Sequence, residues 1–231
     1  TVKDIRIWGD GPDANPAAEL REILRAFGCA GKTLGVEYEA YGLTAANGKR
    51  LEAALDGFCT LQDASGLVSR LRVVKSAAEI AYVREAAGLA DAAWQAALDT
   101  AGPFEGDILA AMHGAIFRGG GDDPANEFII GSGQGALLCR YFSGRRSLDP
   151  RDQLTLEWAG TCRHYHAAMM RTVPIGEPQP LHREMHRVAE DALLAVEDSL
   201  RPGKTFGEAF DAHGRVMDAA GYQAPRLNAC G

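Results

Sequence analysis

Gln153-Leu154-Thr155-Leu156-Glu157-Trp158-Ala159-Gly160, followed after a short break by Arg163-His164-Tyr165-His166-Ala167-Ala168-Met169-Met170-Arg171-Thr172, is the stretch whose pattern decides the fold. Both segments alternate with period two and read as strands. In the first, Leu154, Leu156 and Trp158 fall on one face, and Thr155 and Glu157 on the other. In the second, His164, His166, Ala168 and Met170 share a face, with Tyr165 and Arg171 opposite. A carboxylate in the middle of so apolar a strand is expected to lose part of its hydration, which favours the neutral acid unless a cation compensates. If the two polar faces coincide, an acid and an imidazole converge, the minimum kit for proton-transfer chemistry. A buried glutamate paired for structure with an arginine or a histidine is the alternative, and spacing alone leaves both open.

Working outward, Phe128-Ile129-Ile130 and residues 137–142 also read as strands, joined by Gly131-Ser132-Gly133-Gln134-Gly135. That glycine run has no Lys-Ser/Thr pair and no helix after it, so a tight connection between strands is expected rather than a nucleotide loop. After Pro178 two helices are predicted, over 181–200 and 206–220, separated by Pro202-Gly203, the second opened by the capping box Thr205-Phe206-Gly207-Glu208. Upstream, Ser76-Ala77-Ala78-Glu79 is another capping box and starts a long helix with Ile80, Val83, Ala87, Ala90, Trp94 and Ala97 as its buried stripe. Gly102-Pro103 ends it, a second helix covers 106–118, and residues 119–124 form a loop. Residues 1–70 read as strand (2–8), helix (16–27), strand (33–37), helix (43–55) and strand (58–61), an order that predicts a sheet covered by helices. Two domains are expected, 1–70 and 71–231. The first has few strands before its first helix and no initiating Met, and the second stops at Asn228-Ala229-Cys230-Gly231 on what reads as a strand start without a successor. Both look incomplete.

The 231 residues, 46% hydrophobic and 24% charged, have an ordinary globular composition. A net charge of −7 argues against a nucleic-acid surface, which needs a concentrated Lys/Arg field. No apolar run reaches the roughly 18 residues that a membrane span requires, and no basic-then-apolar leader is visible. Five scattered cysteines (Cys29, Cys59, Cys139, Cys162, Cys230), never in a CxxC pair, predict reduced thiols and a cytoplasmic protein. His182 and His186 stand one helical turn apart, a spacing that can hold a metal, but the acid needed for HExxH is misplaced and the pair borders an apolar stripe. A boundary histidine pair is the expectation.

Arg72-Val73-Val74-Lys75-Ser76-Ala77-Ala78-Glu79-Ile80 resembles the domain junction of the creatinase, prolidase and proline-specific aminopeptidase superfamily. Leu156-Glu157-Trp158-Ala159-Gly160 and the run from Tyr165 to Gly176 are similar to the two central strands of that superfamily's "pita-bread" catalytic domain. The resemblance implies an α+β chain: the first half of a pita-bread domain, preceded by part of a small α/β amino-terminal domain. It also implies a homodimer acting on a small-molecule substrate. Peptidases of the superfamily bind two metal ions through ligands that include two aspartates on these strands. Glu157 stands at the first of those positions and Ala168 at the second, and Arg140 takes the place of a family histidine. A dinuclear centre needs several carboxylates to offset four positive charges. The residues therefore lead to the expectation of no metal and no cofactor, as in ectoine hydrolase and creatinase, metal-free members that open C–N bonds of small nitrogenous compounds. Glu157 would attack the substrate carbon or activate water, His166 would relay a proton or orient the substrate, His164 would assist, and Arg140 would clamp a carboxylate. A metal-dependent Xaa-Pro aminopeptidase or prolidase, and a catalytically inactive pita-bread binding module, are the alternatives.

Overall fold

The computed structural model of the chain describes residues 3–7, 9, 11–100, 102–137 and 144–223. The chain divides into two units, Thr1–Ser76 and Ala77–Gly231. In the first, α1 (Pro16–Ala26) begins at Asn15, whose side chain accepts from the Ala18 amide, with proline in the first turn. β1 (Thr33–Val36) and β2 (Thr60–Asp63) pair in parallel, Thr33 opposite Thr60, and α2 (Ala45–Leu55), capped by Thr44, is the crossover between them. Leu55 and Phe58 are the buried apolar side chains of this unit, and Arg21 and Arg25 lie over the Phe58 ring. Of the strand expected over 2–8, the described residues 3–7 carry no ladder, because alternation specifies a strand only where a neighbouring edge is available to pair. A short helix, α3 (Leu67–Arg72), closes the unit and was not signalled by its sequence.

The second unit is built on α4 (Ala77–Asp99) and α5 (Glu105–Arg118), which cover one face of an antiparallel sheet of β3 (Ile129–Ser132), β4 (Asp152–Cys162) and β5 (Tyr165–Ile175), in the order β3-β4-β5. Leu154, Leu156 and Trp158 project from β4 into the core, where Ile108, Met112 and Ile116 of α5 meet them. On α4 the buried positions are Ala86, Leu89, Ala90, Ala93 and Ala97, so the stripe is rotated from the expected one, with Ile80 exposed and Ala87 marginal. The reason is close packing. A Cβ on Gly160 would stand 2.5 Å from the Ala90 nitrogen and closer still to the Ala86 carbonyl oxygen, so backbone meets backbone and only alanines fit at the crossing. Trp158 seals it, stacking on Trp94 and donating from Nε1 to the Ala90 carbonyl at 3.0 Å.

The glycine run is not a bare turn. Gly131 and Ser132 end β3, and Gly133–Leu137 form a 3-10 turn. The strand expected over 137–142 and the end of the chain at 228–231 lie outside the described residues, apart from Leu137, the last residue of that turn. α6 (Pro180–Ser199) and α7 (Phe206–Ala219) form a helical hairpin, and the Thr205–Glu208 capping box is present in both directions. Among the described residues no helix is long and apolar enough to cross a membrane, and Cys29, Cys59 and Cys162 are free thiols.

Candidate functional site

The face of the sheet turned away from α4 and α5 carries the candidate site. The register makes its composition explicit: Glu157 lies opposite Met170 on β5 and opposite Ile129 on β3. Thr155 pairs with Thr172 and Gly131, Ala159 with Ala168, and Thr161 with His166. Directly opposed residues hold their Cβ atoms about 5 Å apart, so Glu157 is flanked on both sides by apolar side chains. Glu157 is half-buried, whereas Ala168, Met170 and Thr172 are exposed. Among the described residues Glu157 makes neither a hydrogen bond nor an ion pair. The alternative of an acid paired for structure finds no partner for Glu157 among the described residues.

Glu157 and His166 do share a face, but they are separated by the rows from Glu157 to Thr161. At about 3.4 Å per residue that is roughly 13 Å along the strand. His166 is occupied where it stands. Its Nε2 accepts from the Ala125 amide at 3.0 Å, which assigns the proton to Nδ1, and Nδ1 lies 2.9 Å from the His164 carbonyl oxygen. His164 is not on the strand face. Cys162 pairs with Tyr165, so Arg163 and His164 form a two-residue hairpin turn, with φ of 51° and 64°. Left-handed backbone is unfavourable for both side chains, and the turn is held by the His164 amide donating to Asp122 Oδ2 at 3.1 Å. His166 and Asp122 therefore tie the β4–β5 turn to the loop before β3. Arg140, the expected carboxylate clamp, lies outside the described residues.

One feature of the region has no counterpart in the sequence expectations. Glu105, at the first turn of α5, is 1% exposed. It accepts from the Ser132 hydroxyl at 2.6 Å and from the backbone amides of Arg145 and Arg146 at 3.2 and 3.1 Å. The Arg146 guanidinium donates to Ser132 Oγ at 2.7 Å and pairs with Asp152 and Asp149. Asp152 also accepts from the Gly133 amide at 2.7 Å. Burial pushes the Asp152 carboxyl up, but the Arg146 guanidinium and the amides of Asp149, Gln153 and Gly133 outweigh it and hold the group below the ordinary carboxylate range. This network pins β3, the 3-10 turn, the 144–148 segment and the start of β4 to α5, and so fixes the edge of the candidate face. Its only sequence signals were an acid in a first helical turn and an Arg-Arg pair followed by two aspartates.

A metal ion can be tested against the same geometry. Glu157 is the only carboxylate among the described residues of the face, and its neighbours are Ile129, Met170, Thr155 and Ala159. Among the described residues no group of three or more His, Cys, Asp or Glu side chains is placed to hold a metal ion. On α6, His186 lies 3.6 Å from Glu190 at the helix surface, and its pairing with His182 gathers no third ligand. The described residues do not fit a dinuclear centre, whose charge demands several anionic ligands.

Comparison with known proteins places this geometry in a family. Residues 81–231 match metallopeptidase family M24, and residues 1–74 match the creatinase/prolidase N-terminal domain. A protein described as an uncharacterized hydrolase/peptidase, y4tM of Sinorhizobium fredii, is 31% identical over 205 residues, covering 86% of this chain and 52% of the relative. The Xaa-Pro dipeptidase of Pyrococcus furiosus is 25% identical over 206 residues, covering 88% of this chain and 57% of the relative. Among solved structures, the dipeptidase of Pyrococcus horikoshii superposes with a TM-score of 0.78 at 25% identity, covering 92% of this chain and 58% of that one. The X-Pro aminopeptidase of Thermotoga maritima superposes with a TM-score of 0.80 at 21% identity, over 90% of this chain and 57% of that one, a likeness of fold. The chain spans about half the length of the relatives it matches. It belongs to metallopeptidase family M24 and has the pita-bread architecture that the strand motifs implied.

Proposed function

We propose that the whole protein is a hydrolase that cleaves a C–N bond in a small nitrogenous compound, with Glu157 as the acid that works on the substrate. The observation that carries this reading is the half-buried carboxylate at the centre of the outward face of β4, between Ile129 and Met170, with no side-chain partner among the described residues. A carboxylate that the described residues leave unengaged can attack a carbon, take a proton from water, or hold a substrate nitrogen. His166, held in one tautomer by Ala125 and His164, positions the hairpin that carries β5. Proton relay through it would require the substrate to span the distance to Glu157.

The relatives bear on which C–N bond is cut. Xaa-Pro dipeptidases stand among them, and the family is one of metallopeptidases, which favours the metal-dependent peptidase alternative over a metal-free amidine or ectoine-type hydrolase. Metal independence gains no support from similarity. It rests on the residue set alone: one carboxylate on the described face, with methionine across from it on β5 and alanine on the diagonal. In a peptidase of this kind Glu157 is the residue of the described half able to ligate an ion, which would polarise the amide and activate water; the other ligands would have to come from residues outside those described. Xaa-Pro dipeptides are accordingly the first substrates to assay.

The test is hydrolysis by the complete protein of a panel of Xaa-Pro dipeptides, acylated diamines and cyclic amidines, with manganese or cobalt added and after chelation. Turnover of any member that is abolished in Glu157→Gln supports the reading. Undiminished turnover in Glu157→Gln removes Glu157 from the reaction. Dependence on added metal would decide for the peptidase class.

A further inference from the structure

Two histidines meet one segment of chain, the run 122–127 between Gly121 and Phe128 in the loop before β3. Both ends of the segment are fixed. A Cβ on Gly121 would stand 2.8 Å from the Thr161 carbonyl oxygen and 2.7 Å from the Ile116 side chain, and Phe128 is buried. Between these ends the Asp122 amide donates to the Thr161 carbonyl at 2.9 Å, Asp122 accepts from the His164 amide, and the Ala125 amide donates to His166 Nε2 at 3.0 Å. Thr161, the register partner of His166, is fully buried there. Its hydroxyl finds no hydrogen-bond partner among the described residues and adds nothing to the hold.

An imidazole accepts a hydrogen bond only through an unprotonated nitrogen. Nδ1 of His166 is engaged with the His164 carbonyl oxygen at 2.9 Å, so a proton taken up by the ring goes to Nε2 and sets an N–H against the Ala125 N–H. The ring is exposed, and protonation needs no prior opening. The charged side chains of the surrounding elements are Asp122, Asp123 and Glu127 of the segment and Arg163 of the turn. Asp122 is spent on the His164 amide, and among the described residues none of the three acids is ion-paired with His166. His113 acts at the other end. It stacks from α5 on Phe128 at 4.1 Å, half-buried, and charging it there costs hydration that Asp123, the charged group acting on it, offsets only in part. The left-handed backbone of Arg163 and His164 adds strain to the turn that Asp122 helps to hold.

We infer that residues 122–127 are a pH-sensitive clasp, closed over Thr161 while His166 and His113 are neutral and released when the two imidazoles take up protons. The closed form binds fewer protons than the open one, so closure is complete above the ordinary histidine range and is lost as pH falls through and below it. Release uncovers the hairpin end of the outward face, four rows from Glu157. The clasp stands whatever part Glu157 plays, since no bond in it involves that residue.

Amide hydrogen exchange in the 231-residue chain, followed by NMR and divided by the intrinsic rate at each pH, reads the clasp directly. Between about pH 8 and about pH 5 the protection of the Ala125 amide should fall roughly fivefold or more, the fold-change expected for one lost hydrogen bond. The amides of Leu156 and Trp158 in β4 should keep theirs. His166→Gln puts a neutral acceptor in reach of Ala125 and removes the titration. With His113→Phe added, Ala125 should be equally protected at both values, whereas His166→Gln alone should keep only the smaller response that passes through His113. A check free of substitution is that the Ala125 amide shift and the His166 ring Cε1 shift of the parent chain titrate with one midpoint. Protection of Ala125 that does not change with pH overturns the inference, as do an undiminished loss in the double variant and separate midpoints for Ala125 and His166. A loss shared equally by Leu156 and Trp158 overturns it too, because the whole unit rather than the clasp would then be opening.

Discussion

Replacing Glu105 by Gln removes one charge from the interior without altering shape, and the structure sets the size of the effect. The carboxylate, 1% exposed, accepts from one hydroxyl and two backbone amides. Hydrogen bonds to a charged acceptor are worth about 1 kcal/mol more than neutral ones. The Ser132 hydroxyl proton also loses its acceptor if the new amide nitrogen takes the Oε1 position, because a nitrogen there can only donate. Charge assistance over these bonds, with one left unmade, amounts to about 2–3 kcal/mol of destabilisation. For a unit of this size that is roughly 5–10 °C in melting temperature. Tryptophan fluorescence reads it directly, since Trp94 and Trp158 stack in the core of the same unit. Ser132→Ala removes two bonds, one to Glu105 and one from Arg146, but should lower stability by less, because the two amides stay satisfied and Arg146 keeps Asp152 and Asp149. A Glu105→Gln variant that melts within about 2 °C of the parent would refute the claim that this network is what fastens β3 and β4 to α5.

Other outcomes follow from the packing and the charges. Gly160→Ala drives a methyl into the α4 backbone at Ala86 and Ala90, and overpacking of this kind is expected to lower stability by about 3 kcal/mol, read as a lower urea midpoint. His113 is half-buried and stacked on Phe128 at 4.1 Å; burial holds its basicity down, partly offset by Asp123. Its neutral form is the folded form, so stability should be full above the ordinary histidine range and decline as pH falls below it. Melting temperatures at pH 8 and pH 5 check this, and His113→Phe should shrink the difference between them. Asp152 acts at lower pH. Its carboxyl is held down in the folded state, so its contribution is present above the ordinary carboxylate range and is lost as pH falls through the depressed value.

The strands of the second unit were legible because alternation and burial agree on them: Leu154, Leu156 and Trp158 are apolar and inward, and Glu157 is the one acid on the outward face among the described residues. The capping box at Thr205 was legible because the signal is local, a hydroxyl and a carboxylate three residues apart. Residues 3–7 alternate too, yet no ladder forms there, since a strand is completed by a partner that its own sequence does not contain. The buried stripe of α4 was misphased because periodicity gives a face only to within about one residue, and the glycine that decides it, Gly160, lies on another element. Convergence of Glu157 and His166 depended on register. Alternation puts both on one face, but only the pairing of Thr161 with His166 shows how far apart they are. The Glu105 network joins four segments of chain and leaves almost no trace in any one of them.

Activity of the complete protein with glutamate, aspartate and glutamine at position 157 tests the central claim most directly. If this acid works on the substrate, Glu157→Gln should lower kcat/KM for whichever C–N substrate is cleaved by roughly a hundredfold or more. Glu157→Asp should fall in between, because the charge is kept and only the reach is shortened. A Glu157→Gln enzyme with parental kcat/KM would contradict the account outright.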